Sequence, residues 1–299
     1  RRRHTRLQGD WSSDVCSSDL PNRPLANQGT PPSEPLLPFT NPWRPGLDLL
    51  LDEVAERQRR DFGHMASSQK ADGSLITACD RWSDATLVAG LAELYPQDGV
   101  LSEEGDQRVP TTPAFWVVDP LDGTTNFASG IPYWAISLAR FEHGQPVLAV
   151  LDVPPLRQRI VAVRGHGAWR NGKPLEPPSR QNHPVGCASL CSRSIGVLQK
   201  LPDRRFPGKI RLLGVASLNL VSVAMGQTVA ALEATPKIWD LAASWLILQE
   251  LDCSIHWLAE NPAVLKPGSD LAHTDFPVLV ADRSETLSRF MPWADALIA

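Results

Sequence analysis

Trp116-Val117-Val118-Asp119-Pro120-Leu121-Asp122-Gly123-Thr124-Thr125-Asn126-Phe127 is the stretch that decides how this chain reads. It opens in the apolar β-rich run Phe115 to Val118, the pattern of a strand covered on both faces. The run is expected to stop abruptly at Asp119-Pro120. Two carboxylates three positions apart, with Pro and Gly fixing the turn, then aim at one point beyond the strand end. Carboxylate oxygens are the ligands magnesium prefers, and two ions a few ångströms apart can share one bridging Asp. Asp-Gly is also common in plain turns, so the stretch by itself leaves a simple turn open.

Working outward, Leu47, Leu50, Leu51 and Val54 recur at helical spacing and predict an amphipathic helix from Gly46 to about Ala66. Asp72-Gly73 predicts a turn before a short strand at Ser74 to Thr77, and Leu87, Val88, Leu91 and Leu94 mark a second helix. Beyond the central stretch, strands are expected at Trp134 to Phe141, Val147 to Val153 and Arg159 to Val163, parted by Gly or Pro turns as in an antiparallel set. A Pro-rich joint at Pro174 to Pro184 precedes alternating elements: a helix through Leu218, Val221 and Met225, a strand at Val229 to Glu233, and a helix through Leu241, Trp245 and Leu248. A last strand and helix fall at Pro277 to Ala281 and Glu285 to Phe290. No internal repeat is present, so Trp239-Asp240 is not a propeller signature. The pattern is a layered mixture of helices and sheets in two halves, 46–185 and 186–299.

The first twenty residues behave differently. Residues 1–20 have a basic start but neither a signal-peptide core nor periodicity, and Asp14 to Leu20 reads like a translated sequencing adapter, so an artefact is expected there. Residues 21–45 are Pro-rich and polar, the composition of a disordered lead-in. Across all 299 residues, 42% hydrophobic and 21% charged is ordinary for a soluble globular chain. A net charge of -4 with both signs interspersed gives no basic stripe, so nucleic acid is not an expected partner. No apolar run approaches the roughly 20 residues of a membrane span. Five cysteines, an odd count without regular spacing, argue against a disulfide framework and for a reducing cytoplasm.

The central stretch keeps informative company: Leu101-Ser102-Glu103-Glu104-Gly105 upstream and Trp239-Asp240-Leu241-Ala242-Ala243-Ser244 downstream. That ordered set, from about Asp48 to Phe290, resembles the inositol monophosphatase family. The resemblance implies a layered αβαβα sandwich of the α+β class, the sugar-phosphatase fold. It also implies hydrolysis of a small phosphate monoester, such as inositol-1-phosphate or a similar polyol or sugar phosphate, with two or three Mg2+ ions as cofactor. By resemblance, the metal ligands are Glu103, Asp119 as the bridging group, the Leu121 carbonyl, Asp122 and Asp240. Thr124, with Glu103, positions and deprotonates the attacking water, and Asp80 supports the water network. Gly214 and Ala216, at the start of a helix whose free N–H groups meet substrate oxygens, are expected substrate contacts. Asp122, Gly123, Thr124 and Asp240 join them, with Glu233, seven residues before Asp240, as binder of a substrate hydroxyl. Lys70 matches a family lysine near the site, while Glu104 is expected to stay solvated or one layer back.

The chain also departs from the family pattern. Ser102 and Ser244 stand where Gly is usual, and Glu250-Leu251-Asp252-Cys253 replaces Glu-Ala-Gly-Gly. Lys237 is expected beside the pocket, where its charge suits a second phosphate or a carboxylate. Competing substrates are histidinol phosphate, fructose 1,6-bisphosphate and 3′-phosphoadenosine 5′-phosphate. A catalytically silent, metal-binding interaction protein is the alternative from another class. The resemblance further implies a homodimer and lithium inhibition.

Overall fold

A computed structural model describes residues 45–64, 67–70, 75–178, 186–259, 262 and 265–299. The expectations for residues 1–20, for 21–44 and for the Asp72-Gly73 turn lie outside these. The chain begins its described course with α1 (Pro45–Asp61), followed by the hairpin of β1 (Ser67–Gln69) with β2 (Leu75–Thr77) and by α2 (Ala78–Leu94). Pro45 is thus the first residue of a helix, where a missing N–H costs nothing, rather than the end of the lead-in. That helix stops at Asp61, short of Ala66, where Gly63 turns the chain at φ 74°. A capping box starts α2: Thr77 accepts from the N–H groups of Cys79 and Asp80, and the Asp80 carboxylate accepts from the Thr77 N–H.

Seven strands form the first sheet. They are β3 (Gly99–Ser102), β4 (Ala114–Asp122), β5 (Ala135–Glu142), β6 (Gln145–Val153), β7 (Gln158–Val163), β8 (Gly167–Arg170) and β9 (Lys173–Pro174), in spatial order. β3 runs parallel to β4, and every later pair is antiparallel. β4 does not stop at Asp119-Pro120 as expected. It continues to Asp122, with the register against β5 shifting between Asp119 and Asp122, so the proline is accommodated in an irregularity of the ladder. The short α3 (Thr124–Ala128) follows at once.

The second sheet has five strands in the order β11 (Lys209–Arg211), β10 (Cys187–Leu190), β12 (Ala230–Glu233), β14 (Val278–Ala281) and β13 (Ser254–Trp257). The remaining α-helices among the described residues are α4 (Val197–Lys200), α5 (Ala216–Ala224), α6 (Ile238–Glu250) and α7 (Ser284–Ile298). The last does not end near Phe290: it runs on through Pro292, because Trp293, Ala294 and Ala296 beyond it are buried.

The layers follow from which side chains share a core. Leu47, Leu51 and Val54 of α1 and Leu87 and Leu91 of α2 pack on Trp116, Val118, Ile136 and Val150, one face of the large sheet. Its other face, through Val117, Ala139 and Leu151, meets α5 and α6, which in turn pack on Ala231, Val278 and Val280 of the small sheet. The outer face of the small sheet packs on Phe290 and Trp293 of α7 and Val197 of α4. This is the expected αβαβα sandwich. β4 explains its own composition: Trp116 and Val118 face one layer, Phe115 and Val117 the other, so no position tolerates polarity until the strand reaches its functional end. Each fully buried side chain of this kind contributes about 1.5–3 kcal/mol.

Candidate functional site

The carboxylates gather at the end of the parallel β3–β4 pair. Glu103 directly follows β3, and its N–H donates to the Val118 carbonyl at 3.1 Å. Asp119 and Asp122 come from the irregular end of β4, and Asp240 from the first turn of α6, where its Oδ2 accepts from the Lys237 N–H at 2.8 Å. Oxygens of Asp119, Asp122 and Asp240 all lie within 4.8 Å of one another. Asp119 Oδ1 accepts from the Leu121 N–H at 2.9 Å, whereas its Oδ2 is buried with no hydrogen-bond partner.

Such a cluster is costly when charged. Burial raises the pKa of Asp119 well above its ordinary value, and the charges of Glu103, Asp122 and Asp240 add to it. Asp240 is raised well above its ordinary value in the same way, by burial and then by Asp122 and Glu103. Burial also raises Asp122, against hydrogen bonds from Ser217 and Ala216, and raises Glu103 against the nearby Lys70. An all-oxygen donor set, mutual repulsion and an orphaned buried oxygen together fit a hard divalent cation.

Beside this centre sits a second group. Thr124, at the start of α3, donates its hydroxyl hydrogen toward Asp80 Oδ1 at 2.7 Å, with the Leu121 carbonyl 3.2 Å away. Asp80 is itself fixed by the Thr77 N–H, which donates to its Oδ2 at 2.8 Å. Gly123 links β4 to α3 at φ 103°, a conformation that disfavours any side chain.

The expected substrate contacts divide. The N–H groups of Ala216 and Ser217 at the start of α5 donate to Asp122, at 3.4 and 2.7 Å. They hold the carboxylate in this structure, so the free donors expected there are engaged. Gly214, at φ 76°, lies against Asn126: a Cβ on it would come 3.1 Å from Asn126 Oδ1. Asn126 also ties α3 to this loop, donating to the carbonyls of Tyr133 at 2.9 Å and Leu213 at 2.8 Å. Glu233 is buried at the end of β12 and accepts from Asn219 Nδ2 at 2.8 Å; burial pushes its pKa up to about 8, with Asp122 adding to the shift.

Two lysines were placed differently by their partners. Lys237, expected to charge the pocket, pairs its Nζ with Asp275 Oδ1 at 2.9 Å, which offsets that charge. Lys70 bridges Glu103, at 2.9 Å, and Glu104. Burial opposes its charge, but the two glutamates outweigh it and raise its pKa. Glu104 is not solvated: its side chain is 7% exposed, and burial together with the charge of Glu103 pushes its pKa up to about 7.

Some contributors were not singled out from sequence. Asn219 sits one turn into an apolar helix, and Gln58 follows Leu47, Leu51 and Val54 at the next core position of α1. A polar residue in an apolar stripe was the available signal for both. Among the described residues, Cys79, Cys187, Cys191 and Cys253 are all free thiols, and no helix is long and apolar enough to cross a membrane.

Comparison with known proteins adds four findings. The inositol monophosphatase family model matches residues 48–287. A fructose-1,6-bisphosphatase/inositol-1-monophosphatase of Thermotoga maritima is 29% identical over 205 residues, 67% of this chain and 79% of that protein. A protein named Nus factor SuhB, from Pseudomonas aeruginosa, is 33% identical over 202 residues, 61% of this chain and 72% of that protein. Among solved structures, an IMPase/NADP phosphatase complexed with Mg2+ and phosphate superposes with a TM-score of 0.68 over 82% of this chain and 93% of its own, at 24% identity, a likeness of fold.

Proposed function

The chain belongs to the inositol monophosphatase family and is thereby a phosphoric monoester hydrolase, and on this premise we propose that it hydrolyses inositol-1-phosphate or a similar polyol or sugar phosphate in a Mg2+-dependent reaction. The observation that carries the metal dependence is the meeting of Asp119, Asp122 and Asp240 oxygens within 4.8 Å of one another, where Asp119 also has a buried oxygen without a hydrogen-bond partner. A fold neighbour complexed with Mg2+ and phosphate supports the same reading.

In this reading Glu103, Asp119, the Leu121 carbonyl, Asp122 and Asp240 hold the metal. Bound there, Mg2+ supplies charge for the phosphate, a lowered pKa for water and stabilisation of the leaving alkoxide. The protein's own contribution to proton movement is the Thr124–Asp80 pair. Because Thr124 donates its hydrogen to Asp80 Oδ1, its oxygen is left to accept a hydrogen bond from a water placed beside it, and a proton taken from that water is balanced by passing the threonine's own hydrogen to Asp80. Glu103, held by Lys70, is the second carboxylate available to that water. Asp122, pinned by the N-terminal N–H groups of α5, keeps one orientation toward the substrate side. Glu233 accepts from Asn219 at Oε1 and also takes a hydrogen bond from the Cys191 thiol, a weak donor that a substrate hydroxyl would displace. With a pKa near 8 it is mostly protonated at neutral pH and can donate as well as accept. Gly214 acts by allowing the close approach of Asn126 rather than by a side-chain contact.

Phosphate release decides it, measured on inositol-1-phosphate, histidinol phosphate, fructose 1,6-bisphosphate and 3′-phosphoadenosine 5′-phosphate, with and without Mg2+, beside an Asp119→Asn control. Mg2+-dependent turnover that the control abolishes is the expected result, with the inositol ester among the best substrates. Turnover that survives Asp119→Asn, or none on any ester, overturns the reading. The name of the Pseudomonas aeruginosa relative makes protein binding without turnover the outcome to examine next.

A further inference from the structure

The fully buried side chain of Gln58 makes three hydrogen bonds in the last turn of α1. Its Nε2 donates to the Pro120 carbonyl at 2.8 Å and to Ser83 Oγ at 3.1 Å, and its Oε1 accepts from Trp134 Nε1 at 3.0 Å. An amide buried on the apolar face of a helix is tolerated only when paired, and here both donor hydrogens and an acceptor lone pair are used. The α1 stripe of Leu47, Leu51 and Val54 would take a Leu or Met at this position as readily. Polarity at position 58 therefore serves its partners.

The partner with chemical consequence is the Pro120 carbonyl. Between Asp119 and Asp122 the β4–β5 register breaks, and Pro120 and Leu121 have no paired residue in β5. A buried carbonyl at such a break needs a donor from elsewhere, which Gln58 supplies. That carbonyl and the Leu121 N–H belong to one planar trans peptide, so their directions are locked together. Gln58 holds one side of the plane through the Pro120 oxygen; the other side donates to Asp119 Oδ1 at 2.9 Å. Fixing the plane holds the Asp119 carboxylate at Oδ1, and its Oδ2 is left without a donor in a centre where Glu103, Asp122 and Asp240 are the charges that act on it.

We propose that Gln58 is a positioning residue for the carboxylate centre, acting on Asp119 through the Pro120–Leu121 peptide rather than by touching metal or substrate. This rests on the reading that Asp119 holds a divalent cation. A hydrogen bond that orients a metal ligand is worth about 10–100-fold in metal affinity. The variant Gln58→Met keeps the volume and removes both donors; Gln58→Glu keeps the shape and, when ionised, sets an acceptor against the Pro120 oxygen. Ser83→Ala and Trp134→Phe each remove a different Gln58 partner and leave the Pro120 bond in place.

Mn2+ is titrated into the full chain after stripping with chelator, with binding followed by calorimetry and by the electron paramagnetic resonance of free Mn2+, and folding checked by thermal melting. Gln58→Met is expected to bind about tenfold more weakly or worse, Gln58→Glu to lose affinity as its carboxyl ionises with rising pH and ceases to donate to the Pro120 oxygen, and Ser83→Ala and Trp134→Phe to stay within about twofold of the parent, since neither breaks an orienting bond. In activity assays the Mg2+ activation constant rises in the Gln58 variants, while kcat at saturating Mg2+ changes far less. A folded Gln58→Met protein with the parent's affinity overturns the proposal, as does an equal loss in Ser83→Ala or Trp134→Phe. A parent chain that binds no Mn2+ instead overturns the metal reading beneath it.

Discussion

At the scale of single residues, the hydroxyl of Thr124 has one hydrogen and two neighbours that want it, Asp80 Oδ1 at 2.7 Å and the Leu121 carbonyl at 3.2 Å. Thr124→Val keeps the shape and deletes the proton-handling oxygen. Activity should fall about 10²–10⁴-fold, almost wholly in kcat, with Mn2+ affinity close to the parent's; steady-state kinetics beside a titration check this. Glu233 makes a separate case. Its folded pKa, about 8, lies above the ordinary value of 4.5, so the stability it contributes is present below pH 4.5 and is lost as pH rises through about 8. In chelator, Glu233→Gln should therefore gain in melting temperature relative to the parent as pH is raised across that window; a difference that is flat or opposite in sign contradicts the assignment. The carboxylates themselves were legible because Asp119 and Asp122 lie in one dense motif. Lys237 was not: what takes up its charge is Asp275, distant in sequence and recorded by no local pattern. Gln58 escaped for the same reason, its partners Pro120 and Trp134 being 62 and 76 positions away.

Secondary-structure elements turn on a few backbone positions, and Gly123 is the sharpest of them. It joins β4 to α3 at φ 103°, and a Cβ placed there would come 2.8 Å from Val215 Cγ2 and 3.3 Å from the Tyr133 carbonyl. Gly123→Ala must pay for the left-handed backbone, about 1–2 kcal/mol, and also push Val215, which leads into the α5 turn that grips Asp122. The expected outcome is a lower urea midpoint by at least that amount together with weakened metal binding; unchanged stability would show that the turn relaxes freely. Long elements with strong periodicity, α1, α2, β4 to β7, α5 and α6, were readable from sequence, since burial on one or both faces writes a period into the chain. β10, β11 and β13 were not anticipated. They are three or four residues long, and what makes them strands is a pairing partner far along the sequence. The end of β4 and the length of α7 were misjudged through proline: Pro120 sits where the ladder is already irregular, and the buried Trp293 and Ala294 sustain the helix past Pro292.

For the whole molecule, the carboxylate centre sets stability against function. Glu103, Asp119, Asp122, Asp240 and Glu233 all have folded pKa values above their ordinary ones, burial being the first cause in each. The folded chain therefore binds more protons than the unfolded chain above pH 4.5, and stability falls as pH rises. Where values are defined, the window runs up to about 7 for Glu104 and about 8 for Glu233. A bound divalent cation replaces those protons, and at 100 times its dissociation constant adds about 2.7 kcal/mol. In chelator the melting temperature should thus decline from mildly acidic pH to pH 8, and Mg2+ should raise it most at the alkaline end, where the protons it displaces are already leaving. Asp119→Asn separates the two demands. Removing one buried like charge should make the metal-free protein melt higher than the parent at pH 8, while Mg2+ no longer stabilises it and turnover is lost. Calorimetric scans of both proteins at pH 5 and pH 8, with and without Mg2+, measure all of this. An Asp119→Asn protein that melts lower than the parent at pH 8 in chelator would mean that the charge assistance Asp119 gives to the hydrogen bond from the Leu121 N–H, which an asparagine Oδ1 accepts only as a neutral group, outweighs repulsion, and that the chain keeps this carboxylate for its fold as much as for its chemistry.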